Sequence, residues 1–141
     1  MSTEAQNSKE RKTFLKQPFG KGADSGSIEC KVDVIMYEEE DIHYVYTPAL
    51  DLMGYGKTAD EALRSWEVVL EEYLAYTSNK NTLVKDLENH GWKIKKSLNQ
   101  FQPPAFSWLL QNNEQLSEMY NNRDFLKTSR VITVPSQNAF A

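Results

Sequence analysis

The sequence has few of the residues that would place it in a specialised structural class. It contains one cysteine, Cys30, among 141 residues, so no disulfide can form within the chain. Its apolar stretches are only a few residues long, far short of the ~20 needed to cross a bilayer. The first residues are polar and partly acidic, without the apolar segment of a secretory signal. These absences predict a protein of the reducing cytoplasm that does not enter a membrane.

Residue types that bind metals or act as nucleophiles are scarce and poorly spaced. Cys30, His43 and His90 match no zinc-binding spacing. Cys30 falls on the apolar side of a predicted strand, where a thiol behaves as a small hydrophobic group. Asp33 occupies the same strand, where a nuclease would hold a metal ion, but such enzymes need several converging carboxylates. We therefore expect no cofactor, no metal site and no catalytic activity; a metal-dependent nuclease acting through Asp33 is the enzymatic alternative.

A nucleotide-binding loop is also missing. The segment Gly56-Lys57-Thr58 precedes a predicted helix, as the end of a phosphate-binding loop does. The position five residues before Gly56 is Asp51, however, where that motif requires glycine. Because an aspartate there would repel a phosphate group, the segment is better explained as a turn followed by a helix N-cap.

Charge is unevenly distributed along the chain. Residues 1–26 carry five Lys or Arg and three Asp or Glu, a net of +2, whereas residues 27–100 carry eight and fourteen, a net of −6. Residues 101–141 carry three of each sign. An acidic middle segment repels phosphate backbones and attracts a basic partner.

The first half of the acidic segment has the pattern of β-strands. Residues 28–36 alternate apolar and polar side chains, which predicts a half-buried strand. The acidic run 38–41 predicts a loop, and 43–47 a second strand of an antiparallel hairpin that ends at Pro48. A third extended segment covers 49–55.

Helical spacing follows. Thr58 and Glu61 form a capping box, and the apolar residues after them recur at helical intervals, which predicts a helix over 59–76. A shorter helix is predicted over 82–89, with Gly91 as its C-terminal glycine cap.

The remaining segments predict one more strand and a tail. Residues 92–96 have lysines typical of an edge strand. The prolines 103–104 separate this strand from the tail. In the tail, 105–110 and 114–121 have weak helical patterns, and 130–134 is typical of a short strand.

Together these elements predict an α+β protein. We expect a three-to-four-stranded antiparallel sheet packed by one long helix and a short helix, with a small helical and strand extension at the C-terminus. Residues 1–26 form a predicted disordered arm, since they are polar and lack apolar periodicity. Residues 27–100 form the domain, and 101–141 form the extension, a candidate oligomerisation segment with little core of its own.

Short motifs follow one another in a fixed order through residues 28–96. Their structural positions are Pro48, Gly54, Gly56, Thr58, Glu61, Ala62, Gly91 and Trp92. Gly54 and Gly56 are expected to let the backbone take a positive φ or turn sharply between a strand and the long helix. This order resembles the HicB family, the antitoxin half of bacterial HicBA toxin–antitoxin systems. Members of that family have a Pro-Asp-Leu-x-Gly loop, a second glycine, and then Thr and Glu-Ala at the start of a helix.

The resemblance implies both a fold and a function. The implied fold is a partial ribonuclease H-like domain without its catalytic carboxylates. The implied function is to bind and neutralise a small, basic, mRNA-cleaving HicA-like toxin by protein–protein contact, as a dimer or higher oligomer, or to be a solitary relative that has lost its toxin. The acidic charge of residues 27–100 suits a basic partner.

The alternative function is that of a DNA-binding transcriptional regulator. It would act through the C-terminal extension or through the basic side chains of the arm, which are Lys9, Arg11, Lys12, Lys16 and Lys21. The tail has the order helix, helix, strand, which differs from the ribbon-helix-helix module that many HicB-like proteins carry. Nucleic-acid binding is therefore left open.

Side chains near the predicted sheet and its loop are the candidates for contact with a partner protein. They are Tyr44, Tyr46, Asp51, Met53 and Tyr55. Tyrosine is enriched in interface hot spots, although it is also an ordinary strand residue. Trp66 lies on the apolar stripe of the long helix and is expected in the core.

Overall fold

The computed structural model describes residues 26–135, which contain six strands and four α-helices. The strands are β1 (Ser27–Glu39), β2 (Ile42–Thr47), β3 (Leu52–Gly56), β4 (Lys93–Lys95), β5 (Gln100–Gln102) and β6 (Leu126–Pro135). The helices are α1 (Ala59–Asn79), α2 (Leu83–Asn89), α3 (Phe106–Asn112) and α4 (Glu114–Asn122). None of the helices in this part of the chain is long and apolar enough to cross a membrane. The predicted arm lies outside the described residues, apart from Gly26.

The main sheet is antiparallel and has the order β3-β2-β1-β6, which confirms the α+β class. β1 and β2 form a hairpin in which Glu39 pairs with Ile42. The two residues between them, Glu40 and Asp41, have φ angles of 53° and 67°. This left-handed pair is typical of a type I′ turn, whose twist matches that of the strands it joins.

Helices cover both faces of the sheet. Alternation along β1 places Cys30, Val32 and Val34 on the face that packs against α1. On the opposite face, the side chain of Asn113, the N-cap of α4, bonds to a tyrosine of β2. Lys127 of β6 lies over the ring of Phe106 in α3 on that same face. The core therefore occupies two layers, one on each side of the sheet.

The predicted long helix is confirmed, and its N-terminus has the expected cap. Thr58 Oγ1 accepts a hydrogen bond from the Glu61 N–H at 3.1 Å. Glu61 Oε1 accepts one from the Lys57 N–H, one residue earlier than a standard capping box would have it. The helix continues to Asn79, three residues past the predicted end.

Two glycines of β3 allow α1 to lie directly on the sheet. A Cβ atom at Gly54 would be 2.2 Å from the Trp66 backbone nitrogen, and one at Gly56 would be 2.8 Å from the Ala62 nitrogen. Within the described chain, positive-φ glycines are Gly26 and Gly91, so the two β3 glycines serve close approach and not a turn.

The short helix α2 ends as predicted. Gly91 has a φ of +94°. Its N–H donates to the Glu88 carbonyl and the Trp92 N–H donates to the Leu87 carbonyl, the two bonds of a Schellman motif. The side chain at Gly91 must also be absent because the Trp108 ring of α3 lies 2.5 Å from a Cβ built there.

The fourth strand of the main sheet differs from the prediction. Residues 92–96 contain β4, but this strand pairs with β5 in a separate two-stranded sheet. The fourth position belongs to β6, which is ten residues long and pairs with β1 from Ser27–Pro135 to Met36–Leu126. The predicted extension therefore supplies a full strand to the sheet, and a boundary at residue 100 does not separate two packed units.

Cys30 is buried in the core, in agreement with its predicted position. Burial raises the pKa of its thiol to about 12, with a smaller contribution from the charge of Glu29. A group whose folded pKa is raised by burial destabilises the fold once the unfolded chain ionises, so this effect is absent at low pH and grows as pH rises through the unfolded value.

We expect the free energy of unfolding to fall between about pH 8 and about pH 10, by roughly 1.5 kcal/mol from this thiol alone. Urea unfolding of the wild type and of Cys30→Ala at both pH values measures the difference. The wild type should lose more stability than the variant, and equal losses would contradict the assignment.

Candidate functional site: a tyrosine ladder

The strand register brings three tyrosines together on one face of the sheet. Tyr37 of β1 pairs with Tyr44 of β2, and Tyr44 pairs with Tyr55 of β3. Residues directly opposite in an antiparallel sheet point to the same face. These three side chains, here called the tyrosine ladder, lie on the face opposite α1, because Gly54 and Gly56 beside Tyr55 face that helix.

The rings of the ladder are in contact. The centroids of Tyr37 and Tyr44 are 5.0 Å apart with the planes inclined by 18°. Those of Tyr44 and Tyr55 are 6.4 Å apart at 37°. The first two rings are half-buried, whereas Tyr55 is 65% exposed. The ladder therefore ends in the exposed ring of Tyr55, which the ring of Tyr44 holds in place.

Arg123 covers the opposite end of the ladder. Its guanidinium carbon lies 5.8 Å from the centre of the Tyr37 ring. A 2.7 Å ion pair with Glu39 and a longer one with Glu118 hold it there. The hydrogen bond to Glu39 raises the pKa of Arg123, while burial raises that of Tyr37 against the opposing effect of the guanidinium. Only the Tyr55 end of the ladder is open to a partner.

Tyr46 shares this face but is not available for contact. It is 1% exposed. Its hydroxyl donates to Asp51 Oδ1 at 2.7 Å and accepts from the Asn113 side-chain amide at 2.9 Å. Burial and the bond to Asp51 raise its pKa. The sequence prediction of a contact role for Tyr46 is therefore corrected to a structural role, and exposed Asp51 is its hydrogen-bond partner.

Met53 is half-buried beside the ladder, since it pairs with Tyr46 in the register of β2 and β3. Of the five candidate contact residues, Tyr44, Tyr55 and Met53 thus remain together at the surface. Asp51 lies in the turn after β2, where its φ of 56° reflects a tight loop. The register places Met53 and Tyr55 on the same side of the strand, two residues apart.

Three side-chain hydrogen bonds fix the end of β2 and the loop that joins it to β3. Trp66 Nε1 donates to Thr47 Oγ1, and Trp92 Nε1 donates to the Ala49 carbonyl at 2.8 Å. The third is the bond from Tyr46 to Asp51 described above. Both indoles are in the core, as predicted for Trp66. The loop is therefore held from the α1 side and from the α4 side.

The remaining motif positions have structural roles in the same region. Pro48 is buried in the loop, and Ala62 is fully buried against β3. The roles of the others are given above: close approach for Gly54 and Gly56, capping for Thr58 and Glu61, helix termination for Gly91, and loop support for Trp92.

The long helix α1 presents an acidic surface on the other side of the molecule. The exposed carboxylates of α1 are Asp60, Glu61, Glu67, Glu71 and Glu72. Because α1 packs on the face opposite the ladder, the aromatic surface and this acidic surface point in different directions.

The other chemical candidates of the sequence do not converge. Within residues 26–135, no three His, Cys, Asp or Glu side chains come close enough to hold a metal ion. Asp33 forms a 3.8 Å ion pair with Lys127. His43 lies 3.9 Å from Glu38, and His90 contacts Asp86 on its own helix.

The basic residues of the described extension are engaged with carboxylates. Arg123 contacts Glu39, Lys127 contacts Asp33, and Arg130 contacts Glu67 at 3.2 Å. These pairs leave no excess positive charge on this part of the extension, which does not favour DNA contact there. The basic side chains of the arm lie outside the described residues.

Sequence reasoning missed two residues of the site, Tyr37 and Arg123. Tyr37 could have been found from the hairpin, because a two-residue turn at 40–41 places it opposite Tyr44. Arg123 could not, since its position depends on how the tail packs on the sheet.

The fold and site define an α+β protein whose antiparallel sheet lies between helices and presents stacked tyrosines at its surface. No protein-family model matches the chain, and no curated protein or solved structure matches it significantly.

Proposed function

We propose that this chain is a binding protein of the HicB-like antitoxin type, which binds a small, basic, RNA-cleaving toxin through the Tyr55 end of the tyrosine ladder. The observation that carries the proposal is the 65% exposure of Tyr55 at the end of a row of ring contacts that runs across three strands. In this proposal the chain is not an enzyme.

The ladder suits a contact surface for energetic reasons. Tyrosine offers a large apolar area with a polar tip, and its side chain has few rotatable bonds to immobilise. Contact with the tilted ring of Tyr44 restricts Tyr55 before any partner arrives, so less conformational entropy is lost on binding. Half-buried Met53 beside it adds an adaptable apolar contact.

The acidic charge would act on the approach of the partner more than on the contact itself. Residues 27–100 carry a net charge of −6, much of it on α1 and therefore away from the ladder. Long-range attraction raises the association rate of a basic protein without requiring an ion pair at the interface. We therefore expect binding to slow at high salt while the aromatic contact sets the dissociation rate.

The proposal also includes the setting that the family resemblance implies. The protein would work in the bacterial cytoplasm as one half of a toxin–antitoxin system, and it would self-associate. The fold that accompanies this function is the partial ribonuclease H-like arrangement, whose order of three strands and a capped helix agrees with β1, β2, β3 and α1.

Replacement of Tyr55 should weaken partner binding without affecting the fold. The test begins with the tagged full-length chain, purified from its own cells, and with identification of a stoichiometric small basic protein. We expect Tyr55→Ser to reduce affinity for that protein by about thirtyfold, the effect of losing one interface hot spot. Titration calorimetry with purified partner measures the change, and RNA cleavage by the partner should be inhibited by the wild-type chain.

Tyr76→Ser is the matched control, because Tyr76 is 64% exposed but lies on α1, away from the ladder. Unfolding curves should show both variants to be as stable as the wild type. Equal affinities of the two variants would move the contact away from the ladder. A partner that does not cleave RNA would refute the antitoxin assignment while leaving the contact surface intact.

A further inference from the structure

The two edges of the main sheet differ in how their backbone groups are hydrogen-bonded. At the β3 edge, side chains of α1 accept backbone hydrogen bonds: the Tyr55 N–H donates to Ser65 Oγ at 3.2 Å, and the Lys57 N–H donates to Glu61 Oε1 at 2.9 Å. At the opposite edge, β6 has β1 on one side and no strand on the other within residues 26–135. Unpaired backbone groups of a long edge strand are a template for pairing with another chain.

The residues of β6 do little to block such pairing. The strand is ten residues long, and the stretch 128–134 is rich in β-branched side chains. Its two charged residues are both turned toward partners in the same chain, Lys127 toward Asp33 and Arg130 toward Glu67. Val131, in the middle of the strand, is 52% exposed. Lysine and proline commonly protect an edge strand from pairing. In β6 the lysine is neutralised by its ion pair, and the proline, Pro135, lies at the end of the strand.

We propose that β6 pairs with β6 of a second copy of this chain, antiparallel, with Val131 on the two-fold axis. The two four-stranded sheets would then form one continuous eight-stranded sheet. A two-fold contact of this kind is self-complementary, so it closes after two chains and does not propagate.

Charge favours a second copy as the occupant. Arg130 and Ile132 lie on the α1 face of the strand, where Glu67 and Glu71 line the groove between α1 and β6. With Val131 on the axis, Arg130 of each chain lies opposite Ile132 of the other. It therefore approaches Glu71 of the second chain while it keeps its contact with Glu67 of its own chain, so one guanidinium would bridge the two carboxylates.

The chain as a whole has a net charge of −4, so most of its surfaces would repel a copy of themselves. The β6 edge is an exception because its two charged side chains are paired within the chain, and Arg130 can add a contact with Glu71 of the second copy. On the other face, two exposed Val131 side chains would meet and exclude water from each other.

This inference rests on the self-association proposed above and is independent of the partner of the tyrosine ladder. The first test is sedimentation of the full-length chain at micromolar concentrations. We expect a dimer, and we expect Val131→Lys to raise its dissociation constant at least about tenfold, because two ammonium groups would face each other at the axis.

Val68→Lys is the matched control, since Val68 is also 52% exposed but lies on α1. It should leave the dimer intact, and circular dichroism should show both variants to be folded. A monomeric wild type would overturn the pairing together with the proposed self-association, and would leave the edge open to a strand of a different protein. A dimer that Val131→Lys does not weaken would overturn only the β6 interface.

A cross-link tests the register directly and does not depend on a loss of binding. Opposed residues in an antiparallel pair have Cα atoms about 4.5–5.5 Å apart, within the range a disulfide spans. Val131→Cys should therefore form a covalent dimer on mild oxidation, whereas Val68→Cys should not. Cys30 is buried and does not compete for oxidation. Equal cross-linking of the two variants would overturn the proposed axis.

Discussion

A chain that ends at Gln102 is expected not to fold. This truncation keeps β1 to β5, α1 and α2, which include the whole segment that sequence patterns define as the domain. It removes β6, and with it the partner of β1 along ten consecutive residue pairs. The unpaired backbone of β1 would then lie at an edge beside its buried side chains.

The loss of apolar burial decides the size of the effect. The truncation removes Leu109, Leu116, Met119, Ile132 and Val134, all among the most buried side chains. At about 2 kcal/mol for each fully buried aliphatic side chain, the removed residues account for roughly 10 kcal/mol, as much as the whole stability of a typical domain.

Circular dichroism and urea unfolding of the purified fragment measure the outcome. We expect no cooperative transition in the fragment that ends at Gln102. The comparison chain ends at Pro135 and keeps all of β6, so it should unfold cooperatively. A cooperative transition in the shorter fragment would show that residues before 103 form an independent unit.

Gly54→Ala should destabilise the protein by about 3 kcal/mol or more. The added Cβ would lie 2.2 Å from the Trp66 nitrogen and 2.8 Å from the Ala62 carbonyl oxygen. Both atoms belong to the backbone of α1, so no side-chain rotation can relieve the overlap. The helix would have to move off the sheet, which places the cost at or above the upper end of the usual range for overpacking, about 1–3 kcal/mol.

The midpoint of urea unfolding measures this change. The control is Glu72→Ala, on the exposed side of the same helix, which should change the free energy of unfolding by less than about 0.5 kcal/mol. A loss below about 1 kcal/mol in Gly54→Ala would mean that α1 can shift without cost, against the close packing described here.

Elements that depend on neighbouring residues were predictable. The cap of α1 was read from Thr58 and Glu61 because a capping box is a contact across three residues. The end of α2 was read from Gly91, since the left-handed conformation there favours glycine over any other residue. The buried position of Cys30 followed from strand alternation.

The same local reasoning gave the wrong role to Gly54 and Gly56. A glycine pair between a strand and a helix suggested a sharp turn, whereas the structure keeps both residues in β3 and places a helix backbone against them. Two glycines between a strand and a helix are compatible with a sharp turn and with close approach of the helix backbone. The sequence alone therefore could not distinguish the two.

The site was predictable in part for a related reason. Tyr44, Met53 and Tyr55 were predicted as surface candidates because they lie in adjacent strands. Tyr46 was predicted on the same grounds, as a tyrosine of a strand, but it is buried. Its hydroxyl accepts a hydrogen bond from Asn113, 67 residues away in the chain. No pattern within β2 separates half-buried Tyr44 from buried Tyr46.

By itself, the sequence determined the α+β class, the first hairpin, the N-cap of α1 and the C-terminal end of α2, because those features depend on contacts between residues close together in the chain. Tertiary structure alone decided that β6 pairs with β1, that α1 rests on glycines, and that Tyr55 remains exposed while Tyr46 does not. Those outcomes depend on contacts between segments far apart in the chain, and their stability comes from apolar burial, which is non-directional and sets no local pattern.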